Sequence, residues 1–140
     1  MTIIFIIIVC TLAILSLRDI RRREVTLVGP LIIASAGIIE IFMGNQSMAG
    51  ALSGLLIGAV FYVAAVITGE SIGTGDAILL GCLGIYLGLE RLLYIMLITG
   101  MALFLSAAVL FAIKRNRKQK LPMIPFIFVG FLGGMLIEKI

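Results

Sequence analysis

The chain has 140 residues, 62% of them hydrophobic and 13% charged, with a net charge of +4, a pI near 9.4 and a mean hydropathy of +1.28. Soluble domains are roughly half apolar and about one quarter charged, and a chain this short has no interior able to hide so much apolar surface. The composition therefore excludes a soluble globular domain and requires lipid around the protein.

The first apolar run covers residues 1–17 and ends in the charged segment Arg18-Asp19-Ile20-Arg21-Arg22-Arg23-Glu24. It lacks the basic start and small-residue cleavage site of a secretory signal, so it reads as a retained helix. A second run, 25–43, stops at Gly44-Asn45-Gln46-Ser47, and a third occupies 48–68. Next comes Gly69-Glu70-Ser71-Ile72-Gly73-Thr74-Gly75-Asp76, followed by an apolar stretch to Leu89. Glu90-Arg91 reads as a tight turn before a fifth run, 92–113. The basic segment Lys114-Arg115-Asn116-Arg117-Lys118-Gln119-Lys120 leads to the last run, 121–137.

This pattern predicts an all-α, polytopic membrane protein with about six transmembrane helices. Without a Ser/Pro-rich linker or a long polar stretch, residues 1–140 read as a single membrane-embedded domain. Nine of the eleven Lys and Arg residues fall in or beside the first and fifth breaks. Six spans put both breaks on one side, and the positive-inside rule makes that side cytoplasmic, in the cell membrane. The same basic residues explain the pI without nucleic acid, and their expected contact is anionic lipid.

Parity puts the break between spans three and four on the cytoplasmic side as well, so Asp19 and Asp76 share one membrane face. The fourth span is short. Counted from Ile72 it has 18 residues, against about 20 for a helix crossing ~30 Å of hydrocarbon. Its glycine-rich start is thus expected near the headgroups, where irregular backbone survives in protein or around water. Gly73 and Gly75, lacking side chains, would let a substrate backbone approach closely.

Two carboxylates brought together can share one proton, because two like charges a few ångströms apart are costly. The ionised member can take a proton from water while the protonated one donates to an amide oxygen. Such a pair hydrolyses peptide bonds without metal, histidine or serine. Histidine is absent, and Cys10 and Cys82 stand alone in apolar runs, where they read as small buried apolar residues; this points to no cofactor and no metal site. The ordinary readings are Asp19 paired with Arg18 or Arg22, and Asp76 as a helix cap. Glu70 is a third carboxylate on the same face, a candidate supporting acid. Glu40, one turn inside the outer end of span two, is expected to reach the interface. Gly50, Gly54 and Gly58, and likewise Gly84 and Gly88, form small-residue stripes suited to close helix packing.

At these residues the chain resembles the type IV prepilin peptidase family. Gly73-Thr74-Gly75-Asp76 is similar to its G-x-G-D motif, Asp19 before the basic run and Val25 to its other aspartate, and Pro125-Phe126 to its late Pro-Phe pair. The resemblance implies an aspartic endopeptidase with Asp19 and Asp76 catalytic and Gly73, Gly75 and Glu70 near substrate. It would remove the basic leader of a prepilin-like protein at the cytoplasmic face of the membrane. The long members carry an extra cysteine-paired loop and a methyltransferase activity. This chain lacks that loop and resembles the short, peptidase-only form serving tight-adherence or Flp-type pili. It departs from the family's pattern at Ile78 (often lysine), at Thr26-Leu27 (often Pro-Asn) and at Ile127 (often glycine). A preflagellin or other signal-processing peptidase, and a non-catalytic membrane subunit or small transporter with aspartates that bind cations, are the alternatives.

Overall fold

The computed structural model describes residues 2–22, 26–69, 73–114 and 124–139. They form five helices and no strand: α1 (Thr2–Arg22), α2 (Val28–Phe42), α3 (Met48–Ile67), α4 (Thr74–Lys114) and α5 (Ile124–Lys139). The chain is a helical membrane protein, as its sequence predicts. Large apolar side chains on every helix face outward, with Phe42 87% and Ile67 78% exposed. Surface of that kind is at home only in lipid.

α4 contains two helices. At Gly88 the backbone takes φ 76 and ψ 175, a conformation that glycine adopts without a Cβ penalty. The break divides α4 into limbs 74–87 and 89–114, so the five helices supply the six apolar runs. The expected turn at Glu90-Arg91 is thereby corrected. Both residues are helical, and the reversal falls two positions earlier, where Gly88 meets the side-chain amide of Gln46.

Contacts along the helices fix their directions. Gly54 lies against Gly84 and Gly58 against Gly81, so α3 and the first limb of α4 run antiparallel with their backbones touching. A methyl group on Gly54 would collide with the carbonyl of Gly84. The small-residue stripe of span three thus packs as its spacing suggests: Gly50, Gly54 and Gly58 face Gly88, Gly84 and Gly81 in turn, and Gly88 also serves the reversal.

The second limb of α4 runs antiparallel to α5. Arg91 pairs with Glu138 at 2.6 Å near one end, and Thr99 meets Phe126 and Gly130 further along. α5 begins beside Asp19, so this limb returns toward the end of the bundle from which the first limb started.

Leu79, Leu83, Leu92, Ile33, Ile8, Leu12, Ile124 and Phe131 fill the centre. The rings of Phe5 and Phe131 stack at 5.8 Å and tie α1 to α5. Ser47 caps α3 by accepting the Gly50 N–H at 3.1 Å.

Three expectations change here. The charged segment after span one does not end the helix, since α1 continues through Arg22. Glu40 does not reach the interface. It is 3% exposed, with Oε2 accepting the Asn45 side-chain amide at 2.8 Å and its own carbonyl accepting two amides of the following turn. Cys10 faces outward from the bundle and is not buried.

Candidate active site

The inward residues of α1 are Ile8, Thr11, Leu12, Leu15, Ser16 and Asp19, a stripe at three- and four-residue spacing. Asp19 is the last residue of that stripe. Arg18, Arg21 and Arg22 fall off it and are exposed. The carboxylate is therefore turned into the bundle, 7% exposed, while its basic neighbours face away. Arg18 donates instead to the Thr26 hydroxyl at 3.0 Å, and among the described residues Asp19 forms no ion pair.

Inside the bundle Asp19 Oδ2 accepts the backbone N–H of Ile124 at 3.2 Å, in a buried contact. Ile124 opens α5, and the first N–H groups of a helix have no partner within it. Asp19 sits near the C-terminal end of its own helix, where a negative charge is disfavoured. The start of α5 offsets that with a donor and the positive end of a helix dipole.

Asp76 stands in the first turn of α4, partly buried, and the charge of Asp19 reaches it. It is not the cap of that helix. The carbonyl of Gly73 accepts the N–H groups of Asp76 (3.1 Å) and Ala77 (3.2 Å), so the chain enters the helix at Gly73. A methyl group at Gly73 would come 2.7 Å from Asp76 Oδ2. The absent side chain makes room for the carboxylate where it stands. Gly75 lies within the same helical turn.

Residues 23–25, 70–72 and 115–123 lie outside the described residues, and with them Glu70 and most of the second basic segment. Among the described residues no group of three or more acidic or cysteine side chains converges as a metal site would require. One contact escapes a reading of side chains: the Ile124 amide, which belongs to backbone. Pro125 was the available signal, because proline favours the first turn of a helix and so marks where free N–H groups begin.

The fold and this geometry define a helical membrane protein with two carboxylates, from the end of one helix and the start of another, at the same end of the bundle. The sequence profile of the type IV leader peptidase family matches residues 6–137, and the chain belongs to that family. It is a membrane peptidase. No curated protein and no solved structure gives a significant match.

Proposed function

We propose that this chain is an aspartic endopeptidase of the cell membrane that removes the basic leader from type IV prepilin-like precursors. Asp19 and Asp76 activate water in this reading. The carrying observation is that α1 and α4, separated by two helices in sequence, deliver these two carboxylates to one end of the bundle. Arg18, Arg21 and Arg22 at that end favour the cytoplasmic side for the reaction. The substrate's hydrophobic helix lies in the membrane beside the enzyme, and its leader approaches from the cytoplasm.

The chemistry follows from the pair. Asp19, which already accepts an amide hydrogen at a helix start, carries the negative charge and takes a proton from water. The resulting hydroxide attacks the scissile carbonyl carbon as Asp76 gives its proton to the carbonyl oxygen. When the C–N bond of this gem-diol breaks, the proton held by Asp19 passes to the leaving amine, and the proton on the former carbonyl oxygen returns to Asp76 as the new C=O forms. No metal takes part, since a cation bound between the carboxylates would keep both ionised and abolish the acid. Gly73 keeps the approach to Asp76 open.

The test is cleavage of a prepilin by purified protein in lipid, with EDTA present, across a range of pH. Full activity in chelator and a bell-shaped profile belonging to the pair are expected. Inactivation by EDTA that one divalent metal reverses would make the carboxylates metal ligands and overturn the mechanism.

A further inference from the structure

The Pro125-Phe126 pair has no part in the reaction just described, yet it lies within the turn that touches Asp19. Thr99, on the second limb of α4, is 3% exposed in the middle of the bundle. Hydroxyls inside helices commonly bond back to a carbonyl of their own helix. Thr11 and Ser53 do so here, to Ile7 and to Ala49. The Thr99 hydroxyl reaches across to another helix and donates to the carbonyl of Phe126 at 3.4 Å. Opposite it stands Gly130, where a methyl group would collide with the Thr99 hydroxyl and come 3.0 Å from the Ile95 carbonyl. The two backbones therefore approach closely at this point.

Phe126 is two residues from Ile124, the donor to Asp19. Pro125 stands between them, with φ fixed by its ring and no N–H of its own. A stiff single turn thus joins the carbonyl held by Thr99 to the amide that holds Asp19. We infer that Thr99 is a positioning residue for Asp19, its hydroxyl pinning the first turn of α5 at the height where the Ile124 N–H meets the carboxylate. The role assigns Pro125-Phe126 a purpose, which is to transmit that position. The inference rests on the aspartic peptidase reading for its effect on rate, although the geometry itself does not depend on it.

The experiment compares wild type, Thr99→Val, Thr99→Ser and Asp19→Asn, each purified in lipid. It measures kcat and KM on a prepilin, and hydrogen exchange at the Ile124 amide. Thr99→Val keeps the shape and removes the hydroxyl. It is expected to lower kcat about tenfold at unchanged KM, the scale of one lost hydrogen bond and a small displacement of a reacting group. The Ile124 amide then exchanges faster, while Thr99→Ser restores both readings. If Thr99→Val does not fold, Thr99→Ala takes its place with the same expectations. Equal kcat in the serine and valine variants, or unchanged exchange at Ile124, would overturn the inference. If wild type cleaves prepilin, Asp19→Asn does not and Thr99→Val is normal, this inference fails alone. If wild type itself does not cleave prepilin but the Ile124 amide responds to Thr99, the positioning stands and the functional reading fails.

Discussion

Asp19 Oδ2 and the amide nitrogen of Ile124 lie 3.2 Å apart across a sequence separation of 105 residues. That contact closes the bundle, because it joins the end of the first helix to the start of the last. It also turns an aspartate flanked by arginines away from them. A carboxylate paired with Arg18 or Arg22 would be an ordinary surface charge, worth little. Buried and held by an amide, it is fixed in place at the start of α5.

The first prediction concerns Gly73. A side chain there would displace the Asp76 carboxylate, since even a methyl group comes 2.7 Å from Oδ2. Gly73→Ala is expected to fold and insert normally while losing about tenfold or more in kcat, because small misplacements of a reacting group are costly. Turnover and a thermal melt on the same preparation check it. Normal turnover would show that the glycine serves only the entry into the helix.

The second prediction separates packing from chemistry. Gly54 and Gly84 touch through their backbones, so Gly54→Val has no rotamer that avoids the Gly84 carbonyl. Overpacking of this kind costs about 1–3 kcal/mol. The variant should melt earlier in detergent or lipid, with turnover per folded molecule unchanged below the melt. An unchanged melting temperature would mean that α3 and α4 are not in contact there.

Much of this arrangement is written in the residues, and some of it is hidden for physical reasons. The apolar runs marked the helices, and the small-residue spacing of Gly54 and Gly58 marked a close crossing. The inward face of α1 was harder to see. Isoleucine and leucine cover every side of a lipid-facing helix, so the apolar period vanishes and only Thr11, Ser16 and Asp19 outline the stripe. The reversal falls at Gly88 and not at the charged pair Glu90-Arg91 because it needs a positive φ, which glycine supplies. Glu40 was expected at the interface because a lone acid in an apolar run ordinarily finds water. Asn45, five residues on, donates to one of its carboxylate oxygens instead, and the other, Oε1, is buried without a partner among the described residues. The Ile124 amide could not be read from side chains at all. It depends on which helix start faces Asp19, a question of tertiary packing.

Orientation gives the third prediction. Arg18, Arg21 and Arg22 lie at the Asp19 end of the bundle, and Asn45 lies in the turn between α2 and α3 at the other. A cysteine introduced at Asn45, in a background with Cys10 and Cys82 replaced, should react with a membrane-impermeant reagent from outside intact cells. A cysteine at Gln119 should react only after the membrane is opened. Labelling of Gln119 from outside would invert the protein and move the carboxylates to the wrong face.

The central claim is that Asp19 and Asp76 each perform half of one acid–base reaction. The measurement that tests it most directly is prepilin cleavage by Asp19→Asn and Asp76→Asn, each purified in lipid and matched to wild type in melting temperature. Asparagine keeps the shape of either side chain and can neither take a proton from water nor give one to the substrate. Each variant alone should lose at least about 10²–10⁴-fold in turnover, the range supplied by a positioned acid or base. Near-normal turnover in either folded variant would contradict the paired mechanism.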